Sequence, residues 1–112
     1  MRRVVALVVA FLSMAPPADA HLTAEKPPWM SSFAWRVAVC ETGKGHNHPD
    51  YKHNWRGRYG GAWGWATSTW QLDAPTGLPR YPWLATPRQQ YRVFQIGMRR
   101  HRYWGCIANR LY

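Results

Sequence analysis

The sequence predicts a small α+β domain, mostly helical, with a short β-hairpin region and one disulfide bond. Two stretches place apolar residues at helical spacing behind a helix-start signal, and a glycine- and tryptophan-rich stretch lies between them. The only two cysteines, Cys40 and Cys106, lie near the two ends of this region. A domain of this size buries a modest core, so a covalent cross-link is a common addition.

The first predicted helix starts at Ser32, whose hydroxyl suits an N-cap. Gly43 is expected to close the helix in the left-handed conformation. Phe33, Val37 and Cys40 fall at i, i+4 and i+7, a spacing that predicts one buried stripe.

Glu41 lies in the last turn of this helix, beside apolar neighbours. Partial desolvation and the negative end of the helix dipole both raise the pKa of a carboxyl group there. A carboxylic acid that stays protonated near neutral pH suits general-acid cleavage of a glycosidic bond. The alternative interpretation is a solvated glutamate at a helix end.

The start of the chain has the pattern of a secretory signal peptide, residues 1–20. Two arginines precede an apolar run of about 11 residues, and Ala18-Asp19-Ala20 forms a small-x-small cleavage site. The run is too short to span a bilayer, although an uncleaved anchor is the alternative. We therefore expect a secreted protein with a lead-in segment at residues 21–31 and one domain at residues 32–112.

The two cysteines favour a disulfide bond, because exported chains with an even number of cysteines usually pair them. Closing a loop of about 65 residues stabilises a fold by about 4 kcal/mol in the chain-entropy model. A catalytic thiol is the alternative. It would need an exposed cysteine beside a positioned histidine, whereas Cys40 falls on the apolar stripe.

The charge of the chain points to a polyanionic partner. After removal of residues 1–20 it keeps 13 of its 15 Lys and Arg residues and 4 of its 5 acidic residues, a net charge near +9. Nucleic acid, acidic lipid and an anionic cell wall all attract such a charge, and the eight tryptophans suit sugar rings as well as bases. The sequence contains no recognised nucleic-acid motif, so no nucleic-acid partner is expected. A cationic membrane-active or nucleic-acid-binding protein is the remaining alternative class.

A polar, basic loop follows the first helix. His46, His48, Asp50 and His53 invite a metal assignment, but their spacing is irregular and no thiol completes a recognised set. We expect a solvated, substrate-facing loop with neither a metal ion nor a cofactor.

Two further elements are predicted in the middle of the chain. Residues 59–65 alternate small and large side chains, which predicts a short strand or hairpin arm. A second short helix is predicted to begin at Thr67 or Ser68 and to stop before Pro75. Trp70, within this helix, is predicted to belong to the core, and a platform for a sugar ring is the alternative.

The third helix has the clearest start signal. Thr86 suits the N-cap, Pro87 the first turn and Gln89 the third position, which together form a capping box. The helix is predicted to continue to about Arg102. Its predicted core-facing residues are Tyr91, Phe94 and Met98, and its predicted solvent-facing residues are Arg88, Arg92, Arg99 and Arg100.

The scarcity of carboxylates restricts the chemistry. Beyond residue 20 the chain has four: Glu25, Glu41, Asp50 and Asp73. Ordinary glycoside hydrolysis uses two carboxyl groups, and nucleophilic serine chemistry lacks its G-x-S-x-G segment here. Only Glu41 combines a helical backbone with an apolar flank, so a mechanism that needs a single carboxylate fits best.

Six short segments carry a family resemblance. They are Trp35 with Val39–Gly43, Gly60–Trp65, Ser68–Trp70, Tyr81-Pro82, Ala85–Gln90 and Trp104–Cys106. In this order they resemble the transglycosylase-like domain of the resuscitation-promoting factors, exported bacterial wall enzymes with a lysozyme-like fold. The resemblance covers residues 33 to 106. It implies an enzyme, of lytic transglycosylase or muramidase type, that cleaves the MurNAc–GlcNAc β-1,4 bond of peptidoglycan.

The resemblance also implies residue roles. Glu41 is then the catalytic acid, Cys40 and Cys106 form the disulfide, and Thr69 lies in the substrate cleft. Further residues are expected to contact the glycan strand: Tyr59, Trp63 and Trp65. The resemblance further implies a cell-wall-associated monomer, with peptidoglycan strands and a second cell-wall hydrolase as partners.

The departures from the family pattern concern the cleft. Gly64 stands where the family usually has glutamine, and a polar contact to the sugar would then come from Gln71 or Asn54. The usual Gly-Gly-Asn after the glutamate is absent, and Asn47 or Asn54 is the candidate replacement. These changes support a second hypothesis, a catalytically weak or inactive cell-wall-binding or signalling module of the same fold.

The expected mechanism uses Glu41 twice. It protonates the leaving oxygen, then acts as base while the 6-hydroxyl of the sugar closes onto C1 and gives a 1,6-anhydro product. Plain hydrolysis is the alternative if Asp50 reaches the opposite face of the sugar with a water between them.

Overall fold

The computed structural model describes residues 25–112. The signal peptide expected at residues 1–20 and the first part of the lead-in segment lie outside the described residues. The described chain forms the following elements in order: α1 Ser32–Thr42, β1 Asn54–Trp55, β2 Tyr59–Gly60, β3 Trp65–Ala66, α2 Thr67–Asp73, a 3-10 turn Pro82–Leu84, α3 Pro87–Arg99 and α4 Gly105–Ala108. The α+β class, mostly helical with a small hairpin region, is confirmed.

The sheet is a three-stranded antiparallel meander of very short strands in the order β1-β2-β3. Asn54 pairs with Gly60, and Tyr59 pairs with Ala66 on its other side. Gly60 is obligatory at its position, because an added Cβ would collide with the ring of Trp83. The sheet thus presses closely on the 3-10 turn.

The two ends of α1 differ from the prediction. Ser31, not Ser32, is the N-cap, since its Oγ accepts a hydrogen bond from the Ala34 N–H at 3.1 Å. Gly43 has a right-handed φ of −72°, so the expected left-handed closure at this residue is wrong. Glycine is needed there for a different reason, because a Cβ would collide with the Val39 carbonyl oxygen.

The cap predicted for α2 is wrong. Ala66 is the N-cap and contributes no side-chain hydrogen bond, while Thr67 is already the first helical residue. The Thr67 hydroxyl instead donates to the Gly57 carbonyl oxygen at 2.7 Å and ties α2 to the hairpin. The helix ends at Asp73, in agreement with the predicted stop before Pro75.

The capping box at the start of α3 is confirmed, with both the Thr86 and the Gln89 side chains in their predicted hydrogen bonds. The helix ends at Arg99, earlier than predicted. Beyond it the amides of Arg100 and Arg102 both donate to the Gly97 carbonyl oxygen, at 3.1 and 3.0 Å. This hydrogen-bonded reversal terminates the helix and turns the chain back towards α1.

The core is dominated by tryptophan. Its buried residues are Met30, Ala34, Val37, Ala38, Tyr51, Ala62, Trp63, Trp65, Trp70, Ala85, Val93, Phe94 and Trp104. Phe94 is buried as predicted, whereas Tyr91 and Met98 are half-buried beside it. The arginines predicted to face solvent on and just after α3 are all exposed.

The predicted disulfide between Cys40 and Cys106 is present, with a Cα–Cα distance of 6.2 Å. It joins the last turn of α1 to α4. Both cysteines are thereby used, and the alternative of a catalytic thiol is excluded. Among the described helices, none has the length and apolar character needed to cross a bilayer.

Candidate active site

An open pocket of about 420 Å³ lies beside the side chain of Glu41. Five parts of the chain meet there: the end of α1, the β2 strand, the turn and strand around β3, α2, and the segment that leads into the first residue of α4. The lining residues are Glu41, Tyr59, Gly64, Trp65, Ala66, Thr69, Arg102, Tyr103, Trp104 and Gly105. Residues far apart in the sequence therefore build one concave surface around the predicted acid.

Glu41 is held at the end of α1 by its neighbours in α4. Its Oε2 accepts a hydrogen bond from the Cys106 N–H at 2.9 Å. Cys106 is also joined by the disulfide to Cys40, the residue before Glu41. Partial burial raises the pKa of the Glu41 carboxyl, and this backbone hydrogen bond acts in the opposite direction without cancelling it. The carboxyl is thus oriented by one donor and biased towards its protonated form.

Three of the predicted binding residues reach the pocket. Thr69 on α2 and Tyr59 on β2 both line it, and the Tyr59 ring is 47% exposed. Trp65 lines it as well, but only 2% of its surface is exposed, so it forms the floor. The exposed ring of Trp55 packs near Tyr59, with centroids 5.9 Å apart, and extends this aromatic surface beyond the pocket.

The structure does not bring Trp63 to the pocket, so that prediction is wrong. Trp63 is completely buried and stacks on Phe94 with ring centroids 4.8 Å apart. Its Nε1 donates to the Ala34 carbonyl oxygen at 3.0 Å. A sugar ring has no access to this side chain.

The two proposed replacements for the family glutamine also lie outside the pocket lining. Gln71 is on the exposed side of α2 and donates to the Arg80 carbonyl oxygen at 3.2 Å. Asn54 accepts a hydrogen bond from the Gly57 N–H at 2.8 Å and so stabilises the β1–β2 turn. Asn47 is likewise outside it, beside the C-terminal residues.

The other carboxylates that the structure describes lie outside the lining of the Glu41 pocket. Asp50 lines a separate depression with residues of the histidine loop, and its Oδ1 accepts from the Lys52 N–H at 2.9 Å. Asp73 has no exposed side-chain surface and is bound by Arg100 and Arg102. Among the residues that line the pocket in the described chain, Glu41 is the single carboxylate.

The side chains of the histidine-rich loop are not grouped as metal ligands in the described residues. His46 and His48 stack on each other with ring centroids 5.3 Å apart. Within residues 25–112, no group of three or more His, Cys, Asp or Glu side chains lies close enough to hold a metal ion.

One wall of the pocket escaped the sequence prediction: Arg102, Tyr103, Trp104 and Gly105. A signal for it exists in the sequence. The Cys40–Cys106 pairing places whatever precedes Cys106 next to the residue that follows Cys40, which is Glu41. The position of this wall could therefore have been inferred from the predicted disulfide.

The arrangement places a carboxyl group with a raised pKa, an exposed aromatic face, the hydroxyl-bearing Thr69 and the cationic residue Arg102 around one open pocket. It can donate a proton to a bound sugar oxygen and take one back, without a second carboxylate within the described lining. The chain matches no protein-family model, no curated protein and no solved structure.

Proposed function

We propose that this chain is a secreted peptidoglycan-cleaving enzyme of lytic transglycosylase type, with Glu41 as its single acid and base. The observation that carries the proposal is the environment of Glu41. Its carboxyl has a raised pKa, lies at an open pocket and has no second carboxylate beside it in the described lining. A retaining or inverting hydrolase would need such a partner within about 10 Å.

The proposed reaction has two steps. Glu41 first donates its proton to the oxygen of the MurNAc–GlcNAc β-1,4 bond as that bond breaks at C1. The resulting carboxylate then removes the proton of the 6-hydroxyl on the same muramyl sugar, whose oxygen bonds to C1. The product is a 1,6-anhydro sugar, and the carboxyl returns to its protonated state.

Other lining residues would bind the glycan strand. The exposed ring of Tyr59 offers a flat apolar face, and the Thr69 hydroxyl offers a donor and an acceptor. The Asp50 N–H donates to Thr42, the residue after Glu41, at 3.0 Å, but Asp50 lines a different depression. Its absence from the lining of the Glu41 pocket supports the anhydro-forming reaction over water-mediated hydrolysis, for which Asp50 was the candidate partner. The net positive charge of the chain would retain the protein on an anionic wall.

Mass spectrometry of fragments released from purified peptidoglycan tests the proposal. The wild-type protein, Glu41→Gln and Glu25→Gln are compared, because the last removes an exposed carboxylate outside the pocket. We expect anhydro-muropeptides from the wild type and from Glu25→Gln, and a loss of at least about 100-fold for Glu41→Gln. Reducing-end products that depend on Glu41 would instead indicate hydrolysis.

A wall-binding module without turnover is the second candidate. Gly64 favours it, since it lines the pocket with no side chain at the position where the family that the sequence resembles usually has glutamine. An added Cβ would meet only Thr42 Cγ2, at 3.9 Å, so no neighbouring atom fills that space. No fragments from the wild-type protein, together with cosedimentation with peptidoglycan, would establish this function and refute the enzyme.

A further inference from the structure

Arg102 stands out on the pocket wall because it is a cation facing the same open space as Glu41. Its side chain is 33% exposed, and its guanidinium donates two hydrogen bonds to the Asp73 carboxylate. Nε donates to Oδ2 at 2.9 Å and Nη2 donates to Oδ1 at 2.7 Å. These two bonds leave Nη1 outside the pairing with Asp73.

Asp73 does not neutralise the cluster that it anchors. The carboxylate also accepts a hydrogen bond from Arg100 Nη1 at 2.7 Å, so two guanidinium groups share one buried negative charge. The trio keeps one net positive charge. Arg100 is 51% exposed and lies outside the pocket lining, so Arg102 is the member that presents this charge to the pocket.

The backbone of Arg102 is fixed as firmly as its side chain. Its N–H donates to the Gly97 carbonyl oxygen at 3.0 Å. Gly97 permits this close approach, because a Cβ there would lie 2.7 Å from the ring of Trp104 and 3.4 Å from Arg102 Cγ. Arg102 therefore enters the pocket with little freedom left to lose on binding a ligand.

The charge of Arg102 is not used to ionise the acid. Burial raises the pKa of Glu41, and the opposing influence is the Cys106 N–H rather than any arginine. A fixed guanidinium at the pocket that does not lower the pKa of Glu41 is available for an anionic group on the ligand.

We propose that Arg102 is a specificity-determining residue that binds a carboxylate carried by the glycan strand in the Glu41 pocket. The inference rests on the proposed function and deepens it. Muramyl sugars bear a lactyl carboxyl group, either free or extended by a peptide that has carboxylates of its own. N-acetylglucosamine bears none, so Arg102 distinguishes muramyl-containing strands from neutral sugar polymers.

Binding measurements in the Glu41→Gln background test this without turnover. Isothermal titration calorimetry compares three ligands of equal length: a neutral N-acetylglucosamine oligomer, a peptide-free muramyl strand and a peptide-bearing strand. We expect the Glu41→Gln protein to prefer a carboxylated ligand, and Arg102→Gln to weaken that binding about tenfold with little effect on the neutral oligomer. The weakened ligand identifies whether the lactyl group or the peptide supplies the carboxylate.

Arg100→Gln is the matched control, because it removes an equal charge and a contact to the same Asp73 oxygen outside the pocket. We expect it to leave the affinity for the neutral oligomer unchanged and to weaken carboxylate binding clearly less than Arg102→Gln does, because the trio loses its net charge but Arg102 remains in the pocket lining. If the two variants weakened carboxylate binding equally, or if Arg102→Gln also weakened binding of the neutral oligomer, Arg102 would have only a structural role.

Equal affinity of the Glu41→Gln protein for neutral and carboxylated ligands would overturn the proposal even if the Arg102 variant failed to fold. The outcome is separate from that of the cleavage experiment. A protein that prefers muramyl strands but releases no fragments refutes the enzyme and keeps the Arg102 site. A protein that cleaves peptidoglycan but shows no preference for carboxylated ligands supports the enzyme and refutes the Arg102 site.

Discussion

Two carboxylates of this domain, Glu41 and Asp73, are both withdrawn from water, yet their pKa values shift in opposite directions. Glu41 has one backbone donor and partly apolar surroundings, so desolvation dominates and its pKa is raised. Asp73 is more completely buried, but hydrogen bonds from Arg102 and Arg100 lower its pKa despite the burial. Partner charge, more than depth, decides which carboxyl holds a proton.

The difference separates a chemical role from a structural one. A carboxyl biased towards protonation at an open pocket can exchange a proton with a ligand, whereas Asp73 is committed to two cations. Arg102 belongs to both regions, because it pairs with Asp73 and lines the pocket of Glu41. Each of the following substitutions changes the surroundings of either Glu41 or Asp73.

The largest effect is expected from removing the disulfide that fixes the Glu41 side. Replacing Cys40 and Cys106 together by alanine should lower the free energy of unfolding by about 4 kcal/mol, because the unfolded chain regains the freedom of a long loop. Urea unfolding monitored by tryptophan fluorescence measures it. Reduction of the wild-type protein should reproduce the loss, and a loss below about 1 kcal/mol would contradict the role given to the bond.

A smaller effect is expected on the Asp73 side. Asp73→Asn should cost about 2 kcal/mol of unfolding free energy, because charge-assisted hydrogen bonds to two arginines are replaced by weaker ones. Asp50→Asn is the control, since it keeps an Oδ1 acceptor at a surface carboxylate without an arginine partner. Equal losses of stability in the two variants would mean that the hydrogen bonds from Arg100 and Arg102 to Asp73 contribute no extra stability.

The pH dependence of the Asp73 contribution has a definite sign. The pKa of Asp73 is lower in the folded than in the unfolded protein, so its stabilisation is complete above the ordinary value of 3.8. It is lost as the pH falls below 3.8 through the folded value. Unfolding curves of the wild type and Asp73→Asn should therefore converge in acid, and a difference that stays constant down to pH 2 would contradict the assignment.

Local signals account for what the sequence could predict. The start of α3 at Thr86 and the position of Glu41 at a helix end depend on residues within one or two turns of each other. Such information is present in a short window. The α+β class and the Cys40–Cys106 bond followed from equally direct signals. The ends of helices were less accurate, because Ser31 and Ser32 are both suitable caps and only tertiary contacts choose between them.

The course of the chain before β3 was predicted only in part. Alternation of small and large residues over 59–65 predicted a short strand or hairpin arm lined by aromatic residues, and β2 and β3 do form such a pair. Gly61 and Gly64 have φ values of +75° and +64°, so the chain turns between them and the regular alternation is interrupted. Trp63 enters the core while Trp65 reaches the pocket floor.

Pairings between distant residues had no signal in the sequence. Asp73 and Arg102 are separated by 29 residues with no shared periodicity. Gln90 is fully buried, and its amide accepts from the Ala62 N–H and donates to the carbonyl oxygens of Tyr51 and Ala85. In sequence it is one polar residue of a helix start, and only the loops that fold over it give it a structural role.

The smallest and most diagnostic change is Glu41→Gln, judged by stability. Because the folded-state pKa of Glu41 is raised, the carboxyl opposes folding once it is ionised, and its contribution is most favourable below the ordinary value of 4.5. Glutamine keeps an acceptor for the Cys106 N–H without the charge. We expect the variant to be more stable than the wild type at pH 7, because it removes the desolvation cost of the ionised carboxylate. The two proteins should become equal below pH 4.5. Thermal unfolding at both pH values measures this, and a destabilised Glu41→Gln at pH 7 would mean that the ionised carboxylate, like that of Asp73, serves the fold.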